Sequence, residues 1–204
     1  MLTNSLQTGR RSQSTWSVAI LAALLPMRHE VQITAYSVDD DAEIAPHKPH
    51  AISGVLVVYG SSVAQGIGAG RPGMGYSSIL GRSLDMEVVN LGFGGAGKAE
   101  GQVVERVGQV EACCYLLDLG KSYGLQSADA YLAMLKHLRS VHTGAPLICM
   151  TPIFSSKEVG DDYRHLSQHT RAVVRESVEA LAATDGSVLL VEGRNCWAWK
   201  IRMD

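Results

Sequence analysis

Val55-Leu56-Val57-Val58-Tyr59 runs into Gly60-Ser61-Ser62-Val63-Ala64-Gln65-Gly66, an unbroken apolar stretch that stops at a glycine and two serines. A short apolar run without alternation, rich in β-branched residues, reads as a strand covered on both faces. A serine just past the carboxyl end of such a strand is well placed as a nucleophile. The glycine beside it permits a sharp turn, and N–H groups at the start of a following helix can hold an oxyanion. A loop serine equally serves as a turn or cap residue, so Ser62 gains meaning only from its surroundings. The elbow G-x-S-x-G of α/β hydrolases is absent.

Outward from this stretch, short β-branched runs alternate with longer segments of helical spacing. Helices are expected over residues 74–84, 99–110, 127–142 and 163–183, with Ser127 as an N-cap. Further strands are expected over residues 87–91, 112–119, 146–151 and 187–192. Five strands separated by helices predict a doubly wound, flavodoxin-like parallel sheet in a three-layer α/β core with helices on both faces. In such sheets a ligand sits outside the carboxyl ends of the strands, where the loops discussed below all fall.

The chain has 204 residues, 46% of them hydrophobic and 19% charged, with a net charge of −2. That suits one α/β domain with a small appendage, and no nucleic-acid partner is expected from the charge. Residues 51–204 read as the core. Residues 1–50 read as a separate N-terminal segment, in which residues 31–36 alternate like a half-exposed strand, Asp39-Asp40-Asp41 makes an acidic turn and residues 45–50 form a linker. Arg10 and Arg11 precede the apolar run Trp16 to Met27, too short for a spanning helix. If residues 1–27 act as a signal peptide the protein is secreted. Cysteine usage points instead to a reducing, cytoplasmic setting: Cys113, Cys114, Cys149 and Cys196 form no C-x-x-C pair, and the first three sit in apolar runs as core residues. No metal site or cofactor is expected.

The second loop, Asn90-Leu91-Gly92-Phe93-Gly94-Gly95-Ala96-Gly97-Lys98, leaves backbone N–H groups open to a negative atom. Two readings compete. One is an oxyanion hole for a tetrahedral acyl intermediate. The other is a phosphate cradle, since Gly92 to Lys98 fits G-x-x-x-x-G-K and the third strand ends in Asp118. Against the cradle, Ala99 stands where a metal-binding hydroxyl belongs, and the first loop is left unexplained.

Three segments together, residues 59–66, Arg71-Pro72-Gly73-Met74-Gly75-Tyr76 and residues 89–98, resemble the SGNH (GDSL-like) hydrolases. They look most like bacterial members carrying G-S-S-I-T-Q-G, R-P-G-M-x-Y and N-L-G-F-S-G-N-G. The resemblance covers roughly residues 30–192 and implies a serine esterase acting on small O-acyl, acetyl-type esters. By position, Ser62 matches the nucleophile, and the N–H groups of Ser62 and Gly95 match oxyanion donors. Ser61, Gly94 and Lys121 stand beside them as candidate substrate contacts, and Asp118 matches an aspartate of structural role.

The chain also departs from this pattern. Ser122 stands where the family's oxyanion-hole asparagine is expected. The family's general base, in an Asp-x-x-His block after the fifth strand, has no counterpart, and no histidine follows His169. Asp162-Tyr163-Arg164-His165 repeats the spacing elsewhere, making His165 a candidate substitute base, although His165 and His169 also suit a solvated helix face. Residues 25–46 resemble the end of a small β-domain that precedes the core in relatives, so both ends read as truncated. The alternative reading is therefore a catalytically impaired protein of the same fold. Oligomeric state and ester preference are not encoded in any motif.

Overall fold

The structure, a computed structural model, describes residues 31–196 except Tyr36, Asp39 and Glu43, and only the backbone of Asp161 and Asp162. The signal-peptide reading of residues 1–27 lies outside the described residues. Five strands, β1 (Ile52–Gly60), β2 (Met86–Gly92), β3 (Cys114–Asp118), β4 (Leu147–Met150) and β5 (Val188–Val191), form one sheet in the order β2-β1-β3-β4-β5. Every pairing is parallel. This is the doubly wound order expected from the sequence.

The period of two explains the three layers. Val57 and Tyr59 of β1, with Tyr115 and Leu117 of β3, point into one core shared with α3 (Gly101–Gly108), α4 (Ala128–Val141) and α5 (Asp161–Ala182). Leu56, Val58 and Leu116 point the other way, onto Ala64 of the short α1 (Ser62–Gln65) and onto Tyr76 and Leu80 of α2 (Tyr76–Leu84). Helix α4 buries Tyr131, Met134, Leu135 and Leu138, a stripe at 3.6-residue spacing. Its N-cap is Ser127, whose hydroxyl accepts the Ala130 N–H at 3.4 Å.

Several expectations need correction. Val31 to Ala35 adopt no strand and are exposed, since a lone amphipathic run has no sheet edge to join. The turn at Asp40 and Asp41 is present. Helix α3 starts only at Gly101, because Ala99 has φ 55°, outside the right-handed region. Cys113 is exposed, whereas Cys149 is buried in the core and half-buried Cys114 packs against the α2-side cluster. Cys113 precedes β3 and lies beyond the cover of the helices.

On the α5 side, the loop after β4 is fixed by an ion pair that is itself buried. The guanidinium of Arg171 donates to both carboxylate oxygens of Glu158, at 2.8 and 2.9 Å. It also donates to the Pro152 carbonyl at 3.2 and 3.0 Å. Glu158 in turn accepts the Ser155 N–H at 3.1 Å, closing a capping box on the 3₁₀ turn Ser156–Glu158. Removing one member of such a pair strands a buried charge, whereas removing both does not. Glu158→Leu should therefore destabilise the fold by about 3 kcal/mol, and Glu158→Leu with Arg171→Leu should recover part of that loss; urea unfolding of both variants measures it.

Candidate active site

The order β2-β1-β3 makes the carboxyl ends of β1 and β3 the switch point of the sheet. Gly60 is registered with Gly92 on one side and Asp118 on the other. A Cβ at Gly60 would lie 1.9 Å from the Asp118 carbonyl oxygen, so only glycine lets the strands close here. The Gly60 carbonyl accepts the Phe93 N–H at 3.0 Å, and the Ser61 N–H donates to the Asp118 carbonyl at 3.2 Å. Three loops named from sequence are thus joined through main-chain atoms.

Ser62 is the first residue of α1, behind Ser61 as N-cap. Its N–H belongs to the first turn, where no intrahelical acceptor exists. Its side chain is half-buried, and its hydroxyl has no hydrogen-bond partner among the described residues. Gly94 and Gly95 lie exposed in the turn after β2, and Gly95 has φ 80° with open space where a side chain would be. Asn90 orders this turn, accepting the Gly92 N–H at 2.8 Å while donating to the Ala64 carbonyl at 2.8 Å and to Ser77 at 2.7 Å. Ser122 and Lys121 are half-buried in the 3₁₀ turn Gly120–Tyr123.

Beside the Ser62 loop opens a cleft of about 440 Å³, lined by Val63, Asp118, Gly120, Lys121, residues 152–154 and Ser155 and Ser156. Asp118 forms its most polar end and is almost wholly buried, 1% exposed. Burial pushes its carboxyl up from 3.8 to about 6, against a hydrogen bond from the Tyr76 hydroxyl that lowers it. That bond is 3.0 Å long and ties α2 to the end of β3. Burial first, and then the neighbouring Asp118 charge, push the Tyr76 hydroxyl well above its ordinary range. Exposed Ile67, Met74, Phe93 and Phe154 stand in the loops at this same edge.

The sequence-named residues fare differently. Ser61 is buried, 2% exposed, and its N–H is bonded to the Asp118 carbonyl at the end of β3. The phosphate cradle fails because Gly92 is packed into the sheet, where a Cβ would lie 2.2 Å from the Gln65 nitrogen. The Lys98 N–H faces the Glu100 carboxylate at 3.2 Å, where a phosphate would need to sit. His165 is exposed in the second turn of α5 and does not line the cleft. His169 is no solvated neighbour of it, being half-buried with Nε2 on the Gln126 carbonyl at 2.8 Å. The bond from Tyr76 to Asp118 was signalled in sequence by R-P-G-M-x-Y, but the motif does not name the partner. The Arg171–Glu158 clamp had no sequence signal. Among the described residues no three His, Cys, Asp or Glu side chains gather as a metal site, and no helix is long and apolar enough to cross a membrane.

Residues 54–195, more than half of the chain, match the family described as GDSL-like lipase/acylhydrolase. A solved protein of Bacteroides ovatus described as a GDSL-like lipase is 27% identical, with TM-score 0.67 over 78% of this chain and 48% of its own. The salicylyl-acyltransferase SsfX3 of a tetracycline biosynthetic pathway is 18% identical, with TM-score 0.64 over 72% of this chain and 44% of that one. A family two carbohydrate esterase of Clostridium thermocellum, solved with cellohexaose, is 17% identical, with TM-score 0.57 over 73% and 56%. The last two share the fold alone. This chain spans about half the length of the first two structures, and no curated protein matches it.

Because Asp118 binds its proton more tightly in the fold than in the unfolded chain, its contribution is most favourable below pH 4. It is lost as pH rises through about 6. Urea unfolding between pH 4 and 8 should show this loss, about 3 kcal/mol at most at roughly 1.4 kcal/mol per pKa unit, and Asp118→Asn should flatten it.

Proposed function

The chain belongs to the GDSL-like lipase/acylhydrolase family, and from that premise we propose that it is a serine esterase cleaving small O-acyl, acetyl-type esters through an acyl-enzyme on Ser62. The observation that carries this reading is the setting of Ser62. It begins a helix at the switch point, one residue from a cleft wall, with the open turn of Gly94 and Gly95 on the neighbouring loop.

In this reading the Ser62 oxygen attacks the ester carbonyl, and the developing oxyanion takes hydrogen bonds from the Ser62 and Gly95 N–H groups and the Ser122 hydroxyl. The Ser62 proton passes through a general base to the departing alcohol, leaving the acyl group on Ser62. Water then attacks this acyl-enzyme, the carboxylic acid departs, and the serine regains its proton. The candidate substitute base that the sequence offers is His165, which stands outside the cleft lining and would have to move to reach Ser62. Gly94 borders the incoming ester and Lys121 its far side.

A second reading is a protein of this fold that binds the ester and turns it over weakly or not at all. It is favoured by the Ser62 hydroxyl, which meets no basic partner among the described residues. An unassisted hydroxyl stays protonated and attacks slowly.

Turnover of 4-nitrophenyl acetate separates the two. On the esterase reading, Ser62→Ala abolishes the rate while leaving the fold intact by circular dichroism, and His165→Ala lowers kcat at least tenfold. Wild-type turnover equal to that of Ser62→Ala selects the second reading. Ser122→Asn, which supplies a longer donor, should raise kcat by about tenfold or more, since one oxyanion donor is worth about a hundred- to a thousand-fold.

A further inference from the structure

The loop after β4 lines the cleft with Pro152, Ile153 and Phe154, and Val63, the residue after Ser62, lines it as well. Asp118, Lys121 and two serines also reach the cleft, yet most of the surface that it presents is apolar. The strand order sets the loops after β3 and β4 on one side of Ser62 and the Gly94–Gly95 turn, which follows β2, on the other. An ester whose carbonyl sits at Ser62 can therefore lay one of its two arms along the apolar wall.

That wall is fixed before any ligand arrives. Arg171 binds the Pro152 carbonyl, and the Gly193 N–H donates to the Thr151 hydroxyl at 2.9 Å. The loop after β5 closes on this segment so tightly that a Cβ at Gly193 would lie 2.1 Å from the Thr151 carbonyl oxygen. Ile153 packs against the α2-side core, while Phe154 is exposed and keeps apolar surface free to cover. A wall held in place takes an apolar group without paying to order itself. The size of the space points the same way. Three heavy atoms of an acetyl group, at roughly 30 Å³ each, fill about a fifth of a cleft of about 440 Å³. A sugar arm would set hydroxyls against Val63, Ile153 and Phe154, which offer them no hydrogen bond.

We propose that the cleft selects esters carrying an unhydroxylated, apolar arm longer than acetyl, and that Ile153 and Phe154 set this preference. The placing of the carbonyl at Ser62 rests on the esterase reading, while the preference for an apolar arm rests on the wall. An alkyl arm has the same chemistry whether it belongs to the acyl chain or to the alcohol, and two ester series tell these sources apart.

The test is NMR titration of the Ser62→Ala protein, in which no turnover intervenes. One series is methyl esters of unbranched acids of two to six carbons, and the other is acetates of unbranched alcohols of the same lengths. Affinity should climb about threefold per methylene. A climb in the methyl esters assigns the cleft to the acyl chain, and one in the acetates assigns it to the alcohol. Phe154→Ser, added to Ser62→Ala and checked for folding by circular dichroism, should make the climb shallower. Val159→Ser removes a more exposed apolar side chain from the same loop but outside the cleft lining, and should leave the climb as it was. Flat affinity in both series overturns the proposal, as does a climb that Phe154→Ser leaves intact or that Val159→Ser reduces equally. Wild-type turnover of 4-nitrophenyl acetate is scored separately. A climb without turnover refutes only the esterase reading, and turnover with flat affinity refutes only this one.

Discussion

The closure of β1 onto β3 at Gly60 is the constraint from which the site follows. A side chain at that position would drive its first carbon into the Asp118 carbonyl. With glycine there, the strand ends meet, and the Gly60 carbonyl and the Ser61 N–H bind the loops from β2 and β3. These links use only main-chain atoms. The relative placement of Ser62, the Gly94–Gly95 turn and the turn holding Ser122 is therefore insensitive to which side chains those loops carry.

The opposite wall of the cleft is held by different means. Arg171, on α5, reaches under the loop after β4 and binds Glu158 and the Pro152 carbonyl together. Buried ion pairs of this type add little net stability over an apolar packing of the same volume. Their effect is geometric: a planar guanidinium with five donors fixes two loop segments at once. Pro152 and Ile153 are thereby positioned as cleft wall, and Lys157 is carried on a 3₁₀ turn that Ser155 and Glu158 cap. This wall of the cleft is thus held independently of the loop that carries Ser62.

This division explains what the sequence revealed. The sheet was legible because its strands are continuous apolar runs, and a strand buried on both faces has no other good reading. The Ser62 loop and the glycine turn were legible because glycine at close approaches leaves a dense local signature. The clamp was not, since Glu158 and Arg171 are thirteen residues apart and each reads as an ordinary surface charge. The approach of Lys121 and Lys157 to the Tyr163 ring was hidden for the same reason, since the three residues lie on separate segments of the chain. The run at residues 31–36 misled because alternation describes a strand that has a partner, and residues 31–35 have none among the described residues.

Asp118 shows how far the site departs from what stability alone would choose. It is buried with the Tyr76 hydroxyl as its side-chain donor, and burial raises its carboxyl to about 6, so near neutral pH the fold holds a disfavoured charge. An asparagine of the same shape would avoid that cost. The position of the carboxylate gives it a use, because it lies at the base of the cleft, and the bond from Tyr76 draws α2 across the end of β1. The R-P-G-M-x-Y segment is joined to the end of the third strand by that hydrogen bond, beside the apolar packing of Tyr76 on the α2-side core. A neutral amide accepts the Tyr76 hydroxyl more weakly than an ionised carboxylate does. The charge is retained at the point where three loops and one helix must keep register around the half-buried Ser62.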